Sequence, residues 1–183
     1  MTAPDVVPEM FAAYRTSLDS LEGKLGNAFS DAVDLLEEMS GTVVVCGMGK
    51  SGLVGAKITA TLTSTGTPSV FLHPAEAMHG DLGIVRKGDV VILISNSGET
   101  EEITRLLPAL KRLAVRIIAL VGNVDSTMAR AADICLDAAI DKEACPLNLA
   151  PTTSTLAALV LGDALAVALM ERRGFRPADF AAT

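Results

Sequence analysis

The feature that most constrains this chain is a repeated junction. A short apolar run breaks into a turn of glycine and hydroxyl residues, and a helix follows. Thr42–Cys46 ends in Gly47-Met48-Gly49-Lys50-Ser51-Gly52, ahead of a helix to about Ser64. Val90–Ile94 ends in Ser95-Asn96-Ser97-Gly98-Glu99-Thr100, ahead of a helix over 101–112. Further short strands are expected at 69–72, 115–121 and 134–136. Strand, glycine turn and helix in alternation predict an α/β fold with a parallel sheet between two helical layers. Strands that are apolar almost throughout agree, because such strands are buried on both faces. The expectation is a three-layer αβα sandwich around a five-stranded parallel sheet. Ligands of such sheets sit beyond the carboxyl ends of the strands, where the strand order reverses, and both turns lie on that edge.

Ahead of the first strand, helical spacing covers 8–22 (Met10, Tyr14, Leu18, Leu21) and 29–39 (Phe29, Val33, Leu36). Residues 1–40 are therefore expected to form a helical segment packing on a domain that spans 41–183. A last helix, 153–173, carries Leu156, Leu159, Val160, Leu165, Val167 and Leu169 on more than one face. A sheet covers one side of such a helix, so a second copy of the chain is expected on another. Its apolar core, Leu156–Met170, is interrupted by Gly162 and Asp163 and is short for a membrane span.

Composition narrows the partners. Acidic residues number 22 against 15 basic ones, and aromatic residues make up 3%. A nucleic-acid binder needs the opposite charge, and a single-strand binder needs stacking rings as well. Cys46, Cys135 and Cys145 match neither a zinc framework nor Cys-x-x-Cys and are expected as reduced thiols. The opening Met1-Thr2-Ala3-Pro4-Asp5 has no basic region and no apolar run behind it. Together these features predict a cytoplasmic protein with no nucleic-acid or membrane partner.

The two turns carry the chemistry. Gly47–Gly52 satisfies G-x-G-x-x-G, but the acidic residue that a dinucleotide fold places at the end of the second strand is absent. That strand ends in Phe71-Leu72-His73-Pro74. A Walker-A loop fails too, because its opening glycine falls on Val44. The second turn offers three hydroxyls, Ser95, Ser97 and Thr100, around Gly98. A helix cap needs one hydroxyl. Three with a glycine suit a phosphate, held by neutral donors and helix-start amides inside an acidic protein. Both histidines lie in His73-Pro74-Ala75-Glu76-Ala77-Met78-His79-Gly80-Asp81, without metal-ligand spacing.

These segments, with Lys142-Glu143-Ala144-Cys145-Pro146 and Leu149-Ala150-Pro151-Thr152, resemble the sugar isomerase (SIS) domain family. More narrowly they are similar to the arabinose-5-phosphate isomerases. The resemblance covers roughly 43–180. It implies a flavodoxin-like SIS domain and a reversible aldose–ketose isomerisation of D-ribulose 5-phosphate and D-arabinose 5-phosphate. That reaction feeds the Kdo sugar of lipopolysaccharide and needs neither metal nor cofactor. It implies a homo-oligomer, in the family usually a tetramer with the site at a subunit boundary. Phosphate binding carries over to Ser51, Ser95, Ser97 and Thr100. Sugar contacts carry over to Gly49, His79, Glu99 and Glu143, and catalysis to Glu143, His79, Glu99 and Lys50.

On this scheme Glu143 is the expected base at C–H, its pKa raised by burial. His79 opens the ring or shuttles protons between O1 and O2, because histidine is the side chain that titrates near neutrality. Lys50 polarises an oxygen or binds phosphate. Relatives continue past the position of Thr183 into a His-Pro-Gly-Gly segment and a pair of CBS domains. That histidine has no equivalent in these residues, so slow turnover is expected of them alone. A non-catalytic sugar-phosphate sensor is the alternative, as is an isomerase of another phosphosugar.

Overall fold

The computed structural model describes residues 3–181. Five parallel strands form one sheet in the order β2-β1-β3-β4-β5. They are β1 (Val43–Gly47), β2 (Ser69–Leu72), β3 (Val90–Ser95), β4 (Arg116–Val121) and β5 (Ile134–Asp137). The chain leaves β1 for one side and returns to the other, so the order reverses between β1 and β3. In register, Gly47 at the end of β1 stands beside Ile94. The two glycine and hydroxyl turns therefore emerge side by side at that reversal.

Each strand divides its residues between two cores. Val43, Val45, Val90, Ile92, Ile94, Ile118 and Leu120 point into one core, and Val44, Cys46, Val91, Leu93, Ile117 and Ala119 into the other. This alternation explains the absence of a polar period: both sides of every central strand are covered. Burial also pushes the Cys46 thiol up to about 12, which makes it inert.

One face is covered by long helices: α1 (Ala3–Lys24), α2 (Asn27–Glu38), α3 (Gly49–Ser64) and α8 (Thr153–Arg172). The other carries short ones: α4 (Pro74–Ala77), α5 (Glu101–Thr104), α6 (Leu107–Arg112) and α7 (Thr127–Ala131). A 3-10 turn at Asp81–Ile84 and α9 (Pro177–Phe180) complete the described elements.

Several expectations need correction. The first helix begins at Ala3 and runs through Pro8, its sixth residue, where proline cannot supply the i→i−4 hydrogen bond. The single helix expected over 101–112 is two, because Pro108 has no N–H to give to the turn before it and sits at the start of α6. At 20 residues α8 is long and apolar enough to cross a membrane, contrary to the length argument from sequence. Here it is a core helix. Leu161, Leu165 and Leu169 are buried, and α1, α2 and α3 of the same chain pack on it beside the sheet. Its apolar faces thus have partners within one chain except at Val160 and Val167, which stay exposed.

Helices α3 and α8 approach closely at Gly162. A Cβ there would fall on the Ile58 side chain, 2.9 Å from Cγ2 and nearer still to Cγ1. Ile58 is fully buried, so it cannot swing away. Gly162→Ala is expected to destabilise the fold by about 1–3 kcal/mol, read as a lower urea midpoint with unchanged slope. Gly23→Ala, at a position with open space around it, should leave the midpoint unchanged or raise it.

Candidate active site

The edge where β1 and β3 end holds a cavity of about 550 Å³. Its walls come from the first turn (Met48, Lys50, Ser51), from Asn96, and from the segment between β5 and α8, including Lys142, Glu143 and Asn148. Ser154 of α8 lines it as well.

The first turn becomes the start of a 16-residue helix. Gly49 takes φ +57°, a left-handed conformation that glycine adopts freely, and so turns the chain from β1 into α3. A side chain at Gly47 would meet the Ser51 carbonyl at 2.8 Å, so glycine is needed there for close approach. Lys50 and Ser51 are thereby placed at the positive end of a helix dipole, facing the cavity. Lys50 is exposed and makes no hydrogen bond or ion pair among the described residues.

The hydroxyl turn is tied internally. The Ser95 hydroxyl accepts from Gly98 N at 3.0 Å and lies 2.7 Å from the Thr100 hydroxyl. Ser97 Oγ accepts from Glu99 N at 3.2 Å. Gly98, at φ +66°, lies where a Cβ would strike Ser126. The turn is also sewn to the segment after β4: Gly122 N donates to the Asn96 carbonyl at 2.9 Å, and Met128 N to the Gly98 carbonyl at 3.1 Å. Thr127 N donates to Glu99 Oε1 at 2.6 Å. These bonds hold Glu99 below the ordinary carboxyl value, with the Thr127 backbone bond as the largest cause.

Glu143 departs from expectation. Burial acts to raise its pKa and is the largest single influence. Hydrogen bonds from Ser154 and Thr152 together outweigh it, so the carboxyl lies below its ordinary value. Oε2 accepts from Thr152 N (2.8 Å), Thr152 Oγ1 (3.1 Å) and Ser154 N (3.2 Å), and Oε1 accepts from Ser154 Oγ. The carboxylate thus caps α8 from outside the helix, and a base raised by burial is not what the site holds.

Of the residues expected from sequence, Lys50, Ser51 and Glu143 share the cavity. Ser95, Ser97 and Thr100 stand behind Asn96 in the neighbouring turn and do not line it. Glu99 is exposed and turned toward α7. His79 is exposed after α4 and stands outside the cavity. Asn96 and Asn148 were missed. Asn148 had one available signal: at φ +54° it turns the loop, a conformation that asparagine tolerates better than most side chains. No group of three or more His, Cys, Asp or Glu among the described residues is arranged to hold a metal ion.

A doubly wound parallel sheet with a polar cavity at its switch point, lined by Lys50 and Lys142 and by Asp141 and Glu143, defines the class. The chain belongs to the SIS domain family, whose pattern matches residues 38–168. Among curated proteins it is 59% identical over 167 residues to the arabinose 5-phosphate isomerase KdsD of Pseudomonas aeruginosa. That alignment covers 91% of this chain and 51% of that protein. It is 56% identical over 173 residues to the KdsD of Escherichia coli K12, covering 94% of this chain and 53% of that one. The chain spans about half the length of these curated relatives. A solved structure, E. coli CFT073 c3406 in complex with arabinose 5-phosphate, superposes with a TM-score of 0.94 at 40% identity. The match covers 100% of this chain and 98% of that one.

Two outcomes are expected. The stabilisation from Glu143 is complete above the ordinary carboxyl value of 4.5, and it is lost as pH falls through the lower value of the folded state. Urea midpoints should therefore decline on acidification below about pH 5 and decline less steeply in Glu143→Gln. Alkylation of the native protein should be fastest at Cys145, whose thiol pKa is lowered by backbone N–H groups of Ala150 and Leu149. Cys46 should stay unmodified until the protein unfolds.

Proposed function

We propose that this domain interconverts D-ribulose 5-phosphate and D-arabinose 5-phosphate through a cis-enediol. The observation that carries the reading is the neighbour with bound arabinose 5-phosphate, which matches the chain end to end at a TM-score of 0.94. The cavity has the chemistry such a substrate needs. Phosphate is held at the start of α3 by Lys50 and Ser51. The Ser95, Ser97 and Thr100 turn supplies further neutral donors beside it, and Gly49 lets the backbone approach. An anion so placed is favoured by the helix dipole as well as by the ammonium group.

Proton transfer between C1 and C2 needs a positioned acid–base group. His79 is the proposed carrier between the two oxygens. Because it stands outside the cavity of its own chain, it is assigned to completing that of a neighbouring copy, with the site at a subunit boundary of a tetramer. Glu99 keeps the hydroxyl turn in register with α7. On the same reading the domain works in the cytoplasm on a free phosphosugar and supplies the Kdo sugar of lipopolysaccharide.

Exchange of the C2 proton of arabinose 5-phosphate with deuterated water, followed by NMR, tests the reading even when net turnover is slow. Exchange is expected with this sugar and not with hexose phosphates. Binding without exchange would leave a sensor and overturn the enzyme. Lys50→Ala is expected to raise the substrate concentration at half-saturation by about tenfold or more, the size of one charge-assisted phosphate contact.

A further inference from the structure

The segment between β5 and α8 forms one wall of the cavity, and Glu143 is its most heavily bonded side chain. We propose that Glu143 is a positioning residue: its carboxylate clamps the 141–151 segment onto the first turn of α8, and so holds Lys142 at the cavity. For its kinetic consequence the proposal rests on the isomerase reading above.

The first support is saturation. An ionised carboxylate has about four acceptor sites. Glu143 receives four donors, three on Oε2 and one on Oε1. Oε2 is fully engaged, and the Ser154 hydroxyl takes one of the two acceptor sites of Oε1. The lowered pKa points the same way, because an efficient base is tuned toward the working pH and this group is tuned away from it.

The second support is reciprocity. Glu143 N donates to Asn148 Oδ1 at 2.6 Å, and Ala144 N donates to Thr152 Oγ1 at 2.9 Å. Thr152 Oγ1 in turn lies within bonding distance of the Glu143 carboxylate. Backbone and side chain of one residue are thus fixed to both ends of the loop and to the helix behind it. This is the arrangement that holds a neighbouring group to within a fraction of an ångström.

The third is what the clamp holds. Lys142 precedes Glu143 in the chain. Its side chain is exposed and has no hydrogen bond or ion pair among the described residues. It lines the substrate cavity and also two adjoining cavities, of about 410 and 180 Å³, that are bounded by Glu9 and Ala13 of α1. A loosened loop would let the ammonium group leave the substrate cavity for either neighbour. Held in place, it is a second cation, with Lys50, in a cavity that Asp141 and Glu143 also line, and it offsets their charge toward an anionic substrate.

The test compares wild type, Glu143→Gln and Glu143→Ala. Glutamine keeps an acceptor for Thr152 N and Ser154 N, and its amide can donate to Ser154 Oγ; alanine keeps neither. Amide hydrogen exchange at Ala144, Thr152 and Ser154 reports the clamp without any reference to activity. It should accelerate by about tenfold or more in Glu143→Ala and stay near wild type in Glu143→Gln. Equal acceleration in both variants overturns the clamp. With arabinose 5-phosphate, Glu143→Ala should lose about 10²-fold in kcat/KM, mostly through KM, and Glu143→Gln should recover to within about fivefold with the acid limb of its pH profile unmoved. Glutamine as inactive as alanine, with wild-type amide exchange and sugar binding, would make Glu143 the base and overturn the proposal. Wild type that exchanges no C2 proton would instead count against the isomerase reading, leaving the amide data to decide the clamp.

Discussion

Burial of the sheet on both faces is the constraint on which the rest depends. With Val43, Val45, Ile92 and Ile118 facing one core and Val44, Cys46, Leu93 and Ile117 the other, neither face has room for a polar group. Chemistry can be placed only where strands end. In a parallel sheet the strand ends at the carboxyl edge are also where helices begin, so that edge collects unpaired amides and positive dipole ends. The cavity is the point at which the reversal of strand order between β1 and β3 spreads two of these junctions apart. The positive dipole ends gathered there favour an anion before any side chain is considered.

Two long helices, α3 and α8, start at this cavity, and they are treated differently. The start of α8 is occupied by a carboxylate of the chain itself, Glu143, bonded to Thr152 and Ser154. The start of α3 carries Lys50 and Ser51 and no acidic side chain in its first turn. One positive end is thus neutralised and the other left free. An anionic ligand has one favourable orientation as a result. The formal charge of -7 on the chain does not oppose this, because charges beyond about 10 Å are screened and the groups nearest the ligand are the ones that decide.

The parts of the fold legible in the sequence were those set by single strong signals. Five strands, both glycine turns and the long helices follow from apolar runs and their breaks. The sequence signal for the break of the 101–112 helix is Pro108, which sits at the start of α6. In the site, Lys50 and Ser51 could be placed because their positions are fixed by the few residues that separate them from β1. Glu143 could be found but its state could not. Whether a carboxyl is raised or lowered depends on donors nine and eleven residues away, Thr152 and Ser154, which meet it only when the loop closes on α8. The same limit applies to Glu99. The resemblance implies a sugar contact for it, and its carboxylate accepts from Thr127 N, 28 residues on.

The treatment of α8 shows how far an apolar pattern reaches. Its leucines and valines surround the helix, and from sequence that implied a partner chain. Within one chain the sheet, α3, α1 and α2 take most of those faces, and the small residues Ala157, Gly162 and Ala166 let the neighbours come close. What stays outside is Val167, 54% exposed, and part of Val160. The larger exposed apolar side chains lie elsewhere: Leu53 on α3 at 75%, and Leu147 and Leu149 beside the cavity at 76% and 77%. A helix pattern therefore specifies that faces are covered, not by what.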